Sequence, residues 1–279
     1  MSGIRSCVWV GAGAAAVAAF PWSAGAQPAM VPVPLTPASF NQDAVVELGA
    51  VNDPTTHFSN SVTASMDGGI SKDGATWYQQ GLNTAAPTTG LPGGVVVSTA
   101  NPDRSYALQP FTGNNIRMLD SAAPTGTLTL VTPATYTYLS ILTASGNGTG
   151  AVNVTVHFAD AFPDASQTIT SPDWFFVDPR AVTANGRVEP LTGNFTDVNG
   201  DNPRLYDELI SLAFPGPGAH PVSSIDLAWT GAGPDTHTAI FAVSGAGVPE
   251  PATGTFAGLA AAVGLLVVRR RHVAGDRSS

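Results

Sequence analysis

The stretch Ala151-Val152-Asn153-Val154-Thr155-Val156-His157-Phe158 decides the fold. Four apolar side chains alternate with polar ones, and three of the four are the β-branched residue valine. Successive side chains of a β-strand point to opposite faces, so this period of two predicts one buried face and one wet face. We therefore expect a half-buried strand that carries Asn153, Thr155 and His157 on the solvent side.

A second β-rich run, Tyr136–Thr143, precedes this strand, and the flexible segment Ser145–Gly150 lies between them. The pattern predicts an antiparallel hairpin near the centre of a sheet. Short apolar runs separated by turn residues continue along the chain and are typical of an all-β domain. The other predicted strands are Ala44–Leu48, Ala75–Tyr78, Val95–Ser98, Tyr106–Leu108, Thr127–Thr132, Gln167–Thr170, Trp174–Val177, Leu205–Phe214, Val222–Trp229 and Thr238–Val243. This number of strands favours a single antiparallel β-sandwich of jelly-roll type, with another Greek-key order left open.

The N-terminus, residues 1–26, has the three parts of a secretory signal peptide. Arg5 supplies the positive charge, Val8–Phe20 is the apolar region, and Ala24-Gly25-Ala26 is the cleavage pattern, so the mature chain is predicted to start at Gln27. The alternative, a permanent N-terminal anchor, is less favoured because the apolar run is short for a membrane crossing.

The C-terminus, residues 248–279, combines a rigid motif, an apolar run and a basic end. Val248-Pro249-Glu250-Pro251 precedes the uncharged segment 252–268, which is followed by Arg269-Arg270-Arg271 in the basic tail 269–279. We expect these 17 uncharged residues to form a transmembrane helix, at the short end of the range of about 17–25 residues that spans a bilayer. The positive-inside rule then predicts a cytoplasmic tail and an exported body.

This arrangement resembles the PEP-CTERM sorting signal of exported bacterial proteins. The resemblance implies recognition by an exosortase-type membrane enzyme, after secretion machinery has produced an inner-membrane intermediate. Processing near the motif then delivers the body to the cell surface or to an exopolysaccharide matrix. A single-span anchor that nothing cuts is the alternative.

Between the two processed ends lie a proline-rich leader, residues 27–39, and a predicted ectodomain, residues 40–247. We expect the leader to be extended and not part of the core. The segment 27–250 contains no cysteine, so its stability must come from a core without disulfides. It keeps six basic residues and 19 acidic ones, a formal net charge of −13. Such a surface repels nucleic acid and favours cations or neutral glycans as partners.

Several fragments of the body give a second, weaker resemblance. They are similar to ectodomains found with this kind of tail and to galactose-binding-like β-sandwiches, and they suggest fold but no activity. The fragments are Ser145–Gly148, His157–Asp160, Ser171–Phe175, Asn202–Tyr206 and Ala239–Gly245.

The spacing of Asp197, Asn199, Asp201 and Glu208 matches positions 1, 3, 5 and 12 of a Ca²⁺-binding EF-hand loop. Asn202 replaces the glycine expected at position 6, and Pro203 follows it. A polar turn before the strand at Leu205 is the alternative. Glu208 shares the parity of apolar residues in its strand, so it is either a ligand or a residue at the rim of the sheet. Apart from this Ca²⁺ loop, no cofactor is expected.

Catalytic patterns are weak in this sequence. The histidines of the body show no metal-ligand spacing, and no nucleophile elbow is present. Asp160 and Asp164 are close in sequence, but glycosidase carboxylates must face each other across a sugar. The aromatic residues Trp77-Tyr78, Trp174-Phe175, Tyr206 and Trp229 are interpreted either as core or as a platform for sugars.

These observations together predict a non-enzymatic β-sandwich that is exported and then displayed or released. A carbohydrate-binding module for exopolysaccharide is the second interpretation, and a secreted hydrolase is the third.

Overall fold

The computed structural model describes residues 29–247 apart from 176, 213–219, 232 and 234. The predicted signal peptide, its cleavage site at Ala24, Ala26 and Gln27, and the predicted tail from Val248 onward lie outside the described residues. Within the described residues, no helix has the length and hydrophobicity that a membrane crossing requires.

The protein is an all-β fold, with one short 3₁₀ helix at Pro37–Ser39 and no α-helix in the part of the chain described. The described strands are β1 (Val31–Pro32), β2 (Val45–Val46), β3 (Trp77–Tyr78), β4 (Val95–Val97), β5 (Ser105–Ala107), β6 (Arg117–Leu119), β7 (Thr125–Gly146), β8 (Gly150–Phe158), β9 (Ala165–Ser171), β10 (Val182–Thr183), β11 (Arg187–Val188), β12 (Phe195–Thr196), β13 (Arg204–Ser211), β14 (Pro221–Trp229) and β15 (His237–Gly247). Every described strand pair is antiparallel except β2–β3, which is parallel.

The main sheet has the order β1-β15-β7-β14-β8-β9, with β6 paired to β15, β13 paired to β7 and β10 paired to β13. The long strand β7 organises it. The first half of β7 pairs with β14, and its second half pairs with both β13 and β15. A single strand therefore joins two parts of the sheet.

The predicted strands β7 and β8 both form, but the predicted hairpin between them is wrong. Strand β14 lies between β7 and β8 and pairs with both of them. The turn after Gly146 uses Asn147 and Gly148 at positive φ, as its sequence suggested. The two strands that this turn joins do not pair with each other, although side chains of both pack in the same apolar cluster.

Two large apolar clusters lie on opposite sides of β7 and β15. Leu142 of β7 and Phe241 of β15 belong to one cluster, whereas Ile141 and Val243 belong to the other. A strand that is covered on both faces reads as a continuous apolar run, which explains the segment Ala239–Val243. Strand β8 instead shows the predicted alternation, with its four apolar residues buried.

The expectation that the proline-rich leader lies outside the core is wrong. Met30, Val33 and Leu35 are buried, and Val33 and Leu35 enter the apolar cluster that β8 also lines. Strand β1 pairs with β15, with Val31 opposite Gly245 and Pro32 opposite Ser244. Proline is tolerated there because β1 is the last strand in the sheet order.

The predicted strand Trp174–Val177 does not form in its described residues. Asp173 makes a single bridge to Ser145, and the chain then bends. The Asp173 side chain accepts hydrogen bonds from the backbone N–H groups of Phe175 and Gly148. These two bonds give the backbone a turn in place of a ladder.

Candidate functional site

The predicted cation loop is a turn whose carboxylates are paired with arginines. Asp197 has φ +57°, and its backbone oxygen accepts a hydrogen bond from Gly200 N at 3.1 Å. Its Oδ2 lies 2.7 Å from Arg187 Nε, and Asp201 Oδ2 lies 3.3 Å from Arg180 Nη2. Asn199 is exposed. The observed loop thus has the features of the polar turn that was the alternative interpretation.

Glu208 lies within β13, opposite Ile141 of β7, and it is half-buried. It lies in the middle of β13 and not near its start, and the described strand that pairs with this part of β13 is β7, so Glu208 lies at an edge of the described sheet. Burial raises the pKa of Glu208, the charge of Asp207 raises it further, and Arg104 partly offsets both effects. Among the described residues, no three acidic or histidine side chains are grouped in a way that could hold a metal ion. The Ca²⁺ interpretation stays a prediction, and the arginine pairs give it no support.

The aromatic residues considered as a sugar platform are mostly core. Trp77, Tyr78, Trp174 and Tyr206 are each no more than 2% exposed. The Trp77 ring packs edge-to-face against Trp174, with ring centroids 4.7 Å apart. Trp229 is half-buried. A sugar therefore cannot reach the four buried rings to stack on them in this structure.

The two aspartates considered as a catalytic pair have separate histidine partners. Asp160 Oδ2 lies 2.7 Å from His220 Nδ1, and Asp164 Oδ1 lies 3.0 Å from His157 Nδ1. The hydrogen bond with His220 lowers the pKa of Asp160. The two carboxylates therefore contact two different histidines.

The wet face of the main sheet carries an open groove of about 390 Å³, which is the strongest candidate site. Its volume lies within the range of roughly 300–1,000 Å³ that is usual for small-ligand sites. Strands β7, β14 and β8 form it, and Arg117 of β6 contributes to its lining. The lining residues are Arg117, Thr125, Gly126, Thr127, Asn153, Thr155, Asp226, Leu227 and Ala228.

The register of the three strands explains how the groove is built. Asp226 of β14 lies opposite Thr127 of β7 on one side and Thr155 of β8 on the other. Ala228 lies in the same way between Thr125 and Asn153. Because alanine has the smallest side chain in these two rows, the surface is lower there than at its polar neighbours.

A chain of hydrogen bonds fixes the Asp226 side chain of this groove. Its Oδ1 accepts a bond from Thr127 Oγ1 at 2.6 Å, and its Oδ2 lies 3.0 Å from His157 Nε2. The Thr127 bond lowers the pKa of Asp226, with the bond and charge of His157 adding to the effect. Asp226 is therefore an oriented acceptor on the wet face.

The sequence located part of this site. The alternation of β8 placed Asn153, Thr155 and His157 on the wet face, and the structure confirms that placement. Arg117 and Asp226 were missed. They lie on strands that are distant in sequence, and no local pattern shows which strand is the neighbour of β8.

Comparison with known proteins adds no identification. No protein-family model matches the chain, and no curated protein matches it.

Proposed function

We propose that this chain is an exported, non-catalytic β-sandwich protein that a C-terminal PEP-CTERM signal delivers to the cell surface or extracellular matrix. The sequence supports this proposal at both ends, through the signal-peptide pattern of residues 1–26 and the pattern of residues 248–279. In this proposal secretion machinery exports the chain, the segment 252–268 holds it in the inner membrane, and an exosortase-type enzyme then processes it.

The pairing of β1 with β15 is the structural observation that carries the proposal. Val31 lies opposite Gly245, so the first and last strands of the body are neighbours. Val31 follows the predicted mature start at Gln27 by four residues, and Gly245 precedes Val248 by three. The described residues at the two ends of the body are therefore adjacent in the sheet.

The sandwich architecture belongs to the same proposal. Two apolar clusters on opposite sides of β7 and β15, together with a strand that joins two parts of the sheet, support packed β-layers. Such an architecture is similar to jelly-roll and galactose-binding-like folds.

Deletion of the predicted C-terminal sorting signal tests the sorting proposal. We expect a chain that ends after Gly247 to be exported but lost from the surface or matrix fraction. The intact chain should yield a mature C-terminus near Val248–Pro251 by mass spectrometry of the fractionated cells. Undiminished delivery of the shortened chain to its usual destination would refute sorting by the tail.

A second function, binding of exopolysaccharide, is supported by the groove on the wet face. Its hydroxyl, amide and carboxylate groups are those that hydrogen-bond sugar hydroxyls, and its volume suits a small ligand. We expect Ala228→Trp to fill the groove and abolish co-sedimentation of the full chain with exopolysaccharide isolated from the producing cells. Ala85→Trp, at an exposed loop position, is the control and should bind as the unchanged chain does.

A further inference from the structure

We propose that the groove binds a glycan that contains uronic acid, and that Arg117 holds the uronate carboxylate. The inference deepens the second function proposed above and rests on it. The observations that carry it are the unpaired state of Arg117 and the main chain against which Arg117 lies.

Arg117 differs from the other arginines of the body in having no acidic partner among the described residues. The other four arginines form ion pairs, and Lys72 donates to the backbone oxygen of Ser59 at 2.7 Å. The pairs are Arg104–Asp207, Arg180 with Asp178 and Asp201, Arg187 with Asp67 and Asp197, and Arg204–Asp178. Arg117 thus places, beside the polar groove, a guanidinium that pairs with no described carboxylate.

The hydrogen-bonding capacity of Arg117 is also mostly unused. Its Nη2 donates one long bond to the backbone oxygen of Thr125 at 3.4 Å, and its buried Nε has no hydrogen-bond partner in the part of the chain that the structure describes. Burial lowers the pKa of Arg117, which shows that the charge is partly desolvated. A guanidinium presents several N–H donors in a planar fork that fits a carboxylate, and such charge-assisted bonds are stronger than neutral ones.

Gly126 makes room for this guanidinium. A Cβ atom built at Gly126 would lie 2.0 Å from Arg117 Nε, so a larger residue would displace the arginine. The backbone of Gly126 does not require glycine for its conformation, because its φ is outside the left-handed region. The requirement for glycine here is space for Arg117.

The charge of the whole body makes the local cation necessary. A segment with a formal net charge of −13 repels anions at long range, so an anionic ligand needs a specific cation at its docking point. The single arginine that lines the groove suits one carboxylate and not a nucleic-acid backbone, which needs several cations. The neighbouring groups Thr127, Asn153 and Asp226 supply the donors and acceptors that sugar hydroxyls require.

Binding of defined hexasaccharides to the full chain in mild detergent tests the inference. The acidic probe is an α-1,4-linked hexamer of galacturonic acid, the neutral probe is maltohexaose, and calorimetry gives both dissociation constants at low salt. We expect the acidic hexamer to bind at least about tenfold more tightly, because only it supplies the charged acceptor. We expect Arg117→Gln to remove that preference.

Three variants complete the design. Gly126→Ala should weaken binding of the acidic hexamer as Arg117→Gln does, since it displaces the guanidinium without changing charge. Arg117→Lys should recover part of the affinity, because lysine keeps the charge but loses the fork. Arg180→Gln is the matched control, since it makes the same change of charge outside the groove, and it should stay within about twofold of the unchanged chain.

The results separate this inference from the functions on which it rests. Equal binding of both hexamers, or an equal loss in Arg180→Gln and Arg117→Gln, would overturn the role of Arg117. If neutral binding persists and Ala228→Trp abolishes it, the second proposed function survives without a uronate. If the unchanged chain binds neither hexamer nor the native exopolysaccharide, the role of Arg117 and the proposed binding of exopolysaccharide are both wrong. A folded Arg117→Lys variant keeps the test valid where Arg117→Gln fails to fold.

Discussion

His157 Nε2 lies 3.0 Å from Asp226 Oδ2, across the pairing of β8 with β14. The other ring nitrogen, Nδ1, lies 3.0 Å from Asp164 Oδ1, so the imidazole has a carboxylate on each side. Burial by itself would lower the pKa of His157, but the hydrogen bonds and charges of Asp226 and Asp164 outweigh it and raise the pKa. The structure thus favours the charged ring.

We expect His157→Gln to lower the melting temperature more at pH 5 than at pH 9. A raised histidine pKa stabilises the fold below the unfolded value of about 6.5, and the effect is lost as pH rises through the folded value. The lowered pKa of Asp226 stabilises the fold above about pH 3.8, and this stabilisation is lost as pH falls through the folded pKa. The side chains are 32–51% exposed, so each pair should contribute about 0.2–1 kcal/mol. Equal losses at both pH values would contradict this assignment.

We expect Asp207→Ala to lower the free energy of unfolding by about 3–5 kcal/mol, because it leaves the buried charge of Arg104 without a partner. The two side chains are 5% and 8% exposed, with Arg104 Nη1 3.4 Å from Asp207 Oδ2. Asn101 Nδ2 and Tyr106 Oη also donate to the Asp207 carboxylate. Urea denaturation of the two proteins measures this difference in the free energy of unfolding.

Asp201→Ala is the control for this measurement. Its pair with Arg180 is exposed, so it should cost less than about 1 kcal/mol. The double variant Arg104→Met/Asp207→Leu should recover much of the loss, since it removes both buried charges together. Similar losses of unfolding free energy in Asp207→Ala and Asp201→Ala would show that the buried pair contributes no more to stability than the exposed pair.

The sequence was sufficient for the all-β class and for the faces of β8, because both depend on local periodicity. It failed for the neighbours of β8. The turn residues Asn147 and Gly148 indicate a reversal of the chain, but they do not indicate that β14, more than 60 residues later, separates the two strands. That arrangement depends on which apolar faces pack together, which no local pattern encodes.

The outcomes for the leader and for Trp77-Tyr78 also depend on contacts between residues that are distant in sequence. The prolines near Val31 suggested an extended leader outside the core, yet Val33 and Leu35 are buried beside an edge strand where proline is tolerated. Adjacent residues of a strand point to opposite faces, so Trp77 and Tyr78 can both be core only where both faces of their strand are covered. Both faces of β3 are covered, since Trp77 and Tyr78 belong to different apolar clusters.

We expect Trp77→Ala to cost about 3–5 kcal/mol of unfolding free energy, which is typical of a large buried aromatic side chain. Trp77 is fully buried, and its ring contacts Trp174 and Phe241 edge-to-face with centroid distances of 4.7 and 4.9 Å. Trp229→Ala, at a half-buried position, should cost less. Chemical denaturation of the two variants compares them, and an equal or smaller loss for Trp77→Ala would show that its cluster is not a tightly packed core.

We expect Asp43→Asn to raise the melting temperature at pH 8 relative to the unchanged chain, and to change it less at pH 5. Burial raises the pKa of Asp43 to about 7; the hydrogen bond from Asn115 opposes the shift, and the charge of Glu47 adds to it. The unfolded chain loses this proton near pH 4, whereas the folded protein holds it until about pH 7, so this group weakens the fold as pH rises between those values. Asparagine is neutral throughout and removes the dependence.

Glu47→Gln distinguishes the two causes of the Asp43 shift. Burial is the larger cause, so Glu47→Gln should flatten the pH dependence only in part, whereas Asp43→Asn should flatten it fully at this site. Melting curves of both variants between pH 4 and pH 9 supply the comparison. A fall of stability with rising pH that persists unchanged in Asp43→Asn would assign the effect to another group. Asn115 donates to Asp43 Oδ1 at 2.6 Å, and an asparagine at 43 keeps an oxygen there to accept that bond.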